Sequence, residues 1–143
     1  MILLATPAQA RQLAALEATQ PHAAGWKEKG FQTELTQPHA QIWIHTRVEE
    51  ITGFLALRSV GDFAEILNVA VSPLHTRQGI ARTLLNHALA QLAEKQVKQV
   101  SLEVAQDNPP AIALYTQAGF QVLGKRKDFY APGRDGLIMG KDL

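Results

Sequence analysis

The chain has no cysteine among its 143 residues. That absence excludes a disulfide framework and a thiolate metal site, and it removes the side chain best suited to carry an acyl group covalently. An excess of either charge is also missing: 14 Lys and Arg face 13 Asp and Glu, for a formal net charge of +1. No global field draws the molecule onto nucleic acid or a membrane surface, so neither direct nucleic-acid binding nor membrane association is expected. Long hydrophobic runs are lacking as well. Met1 to Leu4 start apolar, but no basic stretch accompanies them and Thr6-Pro7 follows at once, which is too short for a signal peptide or a spanning helix; a cytoplasmic setting is expected. His22, His39, His45, His75 and His87 show no paired ligand spacing, and no metal is assigned. Repeats, low-complexity stretches and linkers are absent, which leaves residues 1–143 as a single domain able to bury about two-thirds of its unfolded surface.

What is present changes period along the chain. Thr6-Pro7 has the form of a helix N-cap followed by proline at the first helical position, and Ala10, Leu13, Ala14 and Glu17 fall on helical spacing up to Pro21. His22 to Phe31 reads as a loop or short helix, with Trp26 as an anchor. Gln41–His45 and Ile51–Leu57 are rich in β-formers, with Thr46–Glu50 as the hairpin turn between them. Phe63–Val71 predicts another strand, ended by Ser72-Pro73. After Gly79, Ile80, Leu84, Leu85, Ala88, Leu89 and Leu92 recur at helical steps through Glu94. Val97–Ala105 returns to alternation, with Val100, Leu102 and Val104 on one face and Ser101, Glu103 and Ala105 on the other. Asn108 is placed to cap a helix over Pro109–Gln117, and Gly119 to end it. Phe120–Arg126 and Leu137–Met139 read as closing strands, joined by a loop containing Tyr130, Pro132 and Gly133. The class is mixed α/β, with an antiparallel meander and a strand–helix–strand unit that should be a right-handed parallel crossover.

Three places could carry chemistry. Arg77-Gln78-Gly79-Ile80-Ala81-Arg82 runs from a turn into the amphipathic helix, where free N–H groups and the helix dipole favour an anion; a plain connecting loop with solvated arginines is the alternative. Glu103 lies in an otherwise apolar strand that should be covered by helices. Burial without a cation would raise its pKa toward the range of a general base, whereas a pairing with Lys98 or an exit to solvent would make it structural. Asn108 and Tyr115 project from the same side of one short helix and could face one ligand, although Tyr115 could equally fill the core. Lys125-Arg126-Lys127 reads as a solvated charge cluster.

Taken in this order, the segments resemble the GNAT N-acetyltransferase superfamily, and within it the RimI branch of ribosomal-protein alanine N-acetyltransferases. Leu102-Glu103-Val104-Ala105-Gln106-Asp107-Asn108 through Tyr115 to Gly119-Phe120 is the most specific match, and Ile66 to Pro73 and Arg77 to Arg82 are similar to the superfamily's central strand and pyrophosphate loop. Thr76 stands where that loop has glutamine or arginine, and Tyr130-Ala131 where the branch often has Tyr-Pro. His22 to Trp26 is similar to its aromatic substrate-side loop. The resemblance implies a GNAT fold with a splayed central strand pair, acetyl-CoA as cosubstrate and a ribosomal-protein N-terminus as acceptor. It further implies backbone contacts to the pantetheine arm from Val69, Ala70 and Val71, phosphates on the 77–82 loop and a CoA contact from Asn108. Glu103 would be the base and Tyr115 the acid of a direct transfer. A GNAT acting on a small amine or lysine, and a CoA-binding module without catalysis, are the alternatives.

Overall fold

The computed structural model of the protein describes residues 1–143. Its strands are β1 (Ile2–Leu4), β2 (Ala40–Arg47), β3 (Glu50–Val60), β4 (Phe63–Val71), β5 (Gln99–Ala105), β6 (Gln121–Ala131) and β7 (Arg134–Asp142), and they form one sheet in the order β1-β2-β3-β4-β5-β7-β6. The helices are α1 (Ala10–Glu17), α2 (Lys27–Glu34), α3 (Ile80–Glu94) and α4 (Pro109–Gln117). Every neighbouring pair is antiparallel except β4–β5, which α3 joins as the expected parallel crossover.

Alternation in the strands sorts the two cores. Trp43, Leu55 and Leu57 turn to the face where α3 brings Leu84, Leu85, Ala88 and Leu92. Ile42, Ile44, Phe54 and Ala56 turn to the other, under Leu13 and Leu16 of α1 and Phe31 of α2. At roughly 25 cal/mol per Å² of apolar surface removed from water, these two layers are the main source of stability. β4 changes sides in mid-strand. Ala56 pairs with Asn68 but Leu57 pairs with Ile66, so Leu67 is the extra residue of a β-bulge. Before it, Ala64 and Ile66 face α3; after it, Ala70 packs under α1 and Asn68 bonds to Glu17 of that helix.

The expected order of elements holds, with additions and corrections. β1 is too short for alternation to reveal it, and α2 continues beyond Phe31 to Glu34. Pro7–Gln9 forms a 3-10 turn before α1, with the Thr6 N–H donating to Gln9 Oε1 at 2.9 Å. α1 ends at Glu17, before Pro21 is reached, because the Thr19 hydroxyl takes the Leu16 carbonyl at 2.6 Å. The β2–β3 turn narrows to Val48-Glu49, both at positive φ as a primed hairpin turn requires. Tyr130 is not in a loop. β6 and β7 run on to a turn at Pro132-Gly133, and residues 127–130 of β6 bulge against the single residue Asp135. No helix is long and apolar enough to cross a membrane.

Candidate active site

The parallel ladder between β4 and β5 stops at the pair Ile66 and Leu102. Beyond it β4 is bulged and β5 continues alone with β7, so the stretch Val69, Ala70 and Val71 has no strand partner on that side, across a gap from Glu103, Val104 and Ala105, where Gln20 Nε2 donates to the Val71 carbonyl at 2.8 Å. This is the splayed central pair.

At one end of that gap, Ser72 caps a short 3-10 turn over Pro73–His75, its hydroxyl accepting from the Leu74 N–H at 3.3 Å. The chain then enters α3 through Arg77 at φ 62 and Gly79 at φ 75, left-handed conformations that turn successive N–H groups toward one point. α3 has no side-chain cap and no acidic residue in its first turn. Its leading N–H groups at Ile80, Ala81 and Arg82 therefore face outward with the positive end of a 15-residue helix dipole behind them. Arg77 and Gln78 are exposed beside them, whereas Arg82 donates to Gln117 of α4. That bond roofs a pocket of about 180 Å³ between α3 and α4, also lined by Leu85, Asn86 and Leu114. Asn108 caps α4 as expected, accepting from the Ala111 N–H at 3.5 Å.

Glu103 and Tyr115 lie on opposite faces of the sheet. Leu102 and Val104 belong to the core under α3, together with Tyr115 of α4. Glu103, between them in sequence, therefore projects to the face that carries α1 and α2. No helix covers β5 on that side, contrary to expectation, and the Glu103 side chain is 25% exposed. Nor is it without a cation: Arg126 of β6, expected to be solvated, brings Nη2 to 3.3 Å from Oε1 while lying over the Phe129 ring. The expected burial without a cation is thus not met, and the partner is Arg126 in place of Lys98. Oε2 is buried and has no partner. Tyr115 is 7% exposed, with its ring 5.8 Å from Phe120. Burial pushes its pKa up to about 12, with Tyr130 as the lesser cause. The Tyr130 hydroxyl is itself raised, by burial first and then by the charge of Glu103.

The mouth on the Glu103 face is tied together by charge. Arg134 donates to both oxygens of Asp107 at 2.8 and 3.0 Å, meets His22 Nδ1 at 3.1 Å and lies over the Tyr130 ring. Its hydrogen bonds hold the Asp107 carboxyl below the usual carboxylate range. Trp26 is an anchor, its ring 5.2 Å from Phe31. Sequence reasoning singled out neither Asp107 nor Arg134. It also missed the closeness of Tyr130 and Arg126, which depends on the β6–β7 register.

Comparison with known proteins identifies the family and the fold. The model of the acetyltransferase (GNAT) family matches residues 8–120. The ribosomal protein bS18-alanine N-acetyltransferase of Escherichia coli strain K12 is 35% identical over 115 residues, covering 80% of this chain and 76% of that one. A crystal structure of the ribosomal-protein-S18-alanine N-acetyltransferase from Escherichia coli superposes with a TM-score of 0.92 at 29% identity, over 99% of this chain and 92% of that one. The fold is shared with Arabidopsis thaliana NAA60, solved in complex with acetyl-CoA, at a TM-score of 0.86 and 18% identity over 100% of this chain and 98% of that one.

Proposed function

The chain belongs to the GNAT acetyltransferase family, and from that premise we propose that it transfers the acetyl group of acetyl-CoA to a protein N-terminal α-amine, the alanine of ribosomal protein bS18 being the acceptor its relatives indicate. A ribosomal acceptor fits a cytoplasmic setting. One observation carries the reading: a gap in the sheet flanked by an unpaired carboxylate oxygen on one face and a buried phenol on the other. Two substrates can enter such a gap from opposite sides and meet in it.

The residues present suit acetyl-CoA. The stretch Val69, Ala70 and Val71, without a strand partner on the gap side, suits the amides of the pantetheine arm, which would take the place of Gln20 at the Val71 carbonyl. Arg77, Gln78, Gly79, Ile80, Ala81 and Arg82 offer an uncapped helix start for the pyrophosphate, and the Asn108 amide lies at the far lip of the gap. Bound there, acetyl-CoA supplies an acetyl group already activated as a thioester. Arg126 holds Oε1 of Glu103, leaving Oε2 to take a proton from the incoming ammonium directly or through a water. An α-amine at a pKa of about 7.7–8.0 asks less of that base than a lysine near 10.4. The Val69 N–H, on the free edge, is placed to stabilise the oxyanion that develops on the acetyl carbonyl. Tyr115 keeps its proton well above neutrality and would donate it to the departing sulfur, the second proton shed by the attacking nitrogen returning to the phenolate, so that one net proton leaves through Glu103. With no cysteine in the chain, transfer is direct.

Mass spectrometry after incubation with acetyl-CoA and an alanine-initiated peptide, beside an α-blocked peptide with a free lysine, tests this. A gain of one acetyl group confined to the α-amine is expected. Acetylation of the blocked peptide alone would move the acceptor to lysine.

A further inference from the structure

The most deeply buried carboxylate of the molecule has no part in the chemistry described so far. Glu17, the last residue of α1, is 3% exposed and meets no basic side chain. Backbone and amide donors satisfy it instead. Oε2 accepts from the Trp26 N–H at 3.2 Å and from Asn68 Nδ2 at 2.8 Å, and Oε1 accepts from the Lys27 N–H at 3.1 Å. Trp26 and Lys27 begin α2, which has no side-chain cap of its own, so Glu17 caps that helix from α1 and opposes the positive end of its dipole. Lys27 stands there at φ 60, a left-handed conformation that costs a lysine free energy and persists where surrounding bonds hold it. Asn68 is the first residue of β4 after the bulge at Leu67.

One carboxylate therefore joins the loop that opens the acceptor side to the point where β4 turns its edge toward the cofactor gap. A second tie runs parallel, Gln20 Nε2 donating to the Val71 carbonyl at 2.8 Å. We infer that Glu17 is a positioning residue that fixes the 22–26 acceptor loop against the bulged stretch of β4, so that amine and thioester meet in register. The inference rests on the function proposed above. A buried anion suits this task because its desolvated oxygens bind firmly only where donors from both elements are held in place around them.

Two variants test it. Glu17→Gln keeps the volume but turns one accepting oxygen into a donor, and Asn68→Ala cuts only the link to β4. In hydrogen exchange without ligand, Glu17→Gln should speed the amides of Trp26 and Lys27 together with those of residues 68–70, whereas Asn68→Ala should speed the β4 amides and leave α2 protected. In steady-state acetylation of an alanine-initiated peptide, both should lower kcat/KM for the peptide by about 10- to 100-fold, the loss expected of reactants misplaced by roughly an ångström. The KM for acetyl-CoA should move by less than about threefold, because the start of α3 is untouched. Faster exchange with unchanged peptide kinetics in both variants would reduce Glu17 to a helix cap and overturn the inference. Unchanged exchange would refute the tie itself. A wild-type protein that binds acetyl-CoA yet acetylates no α-amine would count against the proposed function, while the exchange comparison still decides whether the tie exists.

Discussion

Tyr115 shows how one environment sets both a chemical role and a stability. Its phenol is pushed from 10.0 to about 12, chiefly by burial. The folded protein therefore holds this proton more tightly than the unfolded chain does. Stabilisation from this source is complete below about pH 10 and is lost as the pH climbs to about 12, by about 3 kcal/mol for two pH units. Replacing Tyr115 with Phe should remove that component, so that urea midpoints of variant and wild type converge or cross between pH 10 and 12 while keeping a fixed offset at neutral pH. The same variant should lower turnover by about 100-fold or more with little change in CoA binding; an equal fall in both would deny Tyr115 the acid role. Tyr115, Glu103 and Asn108 were legible because they lie within thirteen residues of one another on one strand and the helix after it, a spacing a motif can carry. Arg126 was not. It reaches Glu103 because β7 is inserted between β5 and β6, pairing Ile138 with Glu103 and Gly136 with Arg126. Nothing local in Lys125-Arg126-Lys127 distinguishes that arginine from Lys125, which pairs with Asp135, or from Lys127.

At the scale of elements, the period-3.6 run of α3 and the alternation of β5 are readable because each buries one continuous face. The bulge in β4 is not, since a side-switch looks in sequence like an ordinary apolar strand: Ala64, Ile66 and Ala70 all read as core whichever core they enter. Yet that bulge, with the start of α3, makes the gap. How close α3 can sit is decided by Gly53 on β3. A methyl group there would stand 2.8 Å from Ile80 Cγ2 and 3.2 Å from the Ala70 carbonyl oxygen, touching the first residue of α3 and the free stretch of β4 at once. Gly53→Ala should therefore destabilise the fold by about 1–3 kcal/mol, as overpacking does, and weaken acetyl-CoA binding through the displaced helix start. Gly79→Ala is the contrast. No atom lies within 4 Å of its added methyl, so only the left-handed φ of 75 opposes it, at about 1 kcal/mol. Thermal unfolding beside calorimetric titration with acetyl-CoA checks this: a Gly53→Ala protein that unfolds at the wild-type temperature and binds acetyl-CoA with wild-type affinity would contradict the packing argument.

The whole molecule closes on itself at the acceptor mouth, where Arg134, Asp107 and His22 bring together the β6–β7 hairpin, the loop after β5 and the segment between α1 and α2. His22 and Asp107 are exposed and Arg134 only partly covered, and an ion pair in water adds little, so stability is a poor explanation for the arrangement. Its consequence is geometric: it holds the mouth together with Arg134 lying over the Tyr130 ring. Because Arg134 holds the Asp107 carboxyl below its ordinary range, mild acid does not part the pair, but salt does, with a screening length of about 8 Å near physiological ionic strength. Arg134→Ala should therefore shift the unfolding temperature by only a few degrees while raising the peptide KM by about tenfold at nearly constant kcat. Raising the salt to about 1 M, where screening acts within roughly 3 Å, should raise the wild-type peptide KM toward that of the variant and leave the variant's nearly unchanged. Equal salt responses in the two proteins would show that the charges at the mouth act on the peptide directly and not through this clasp.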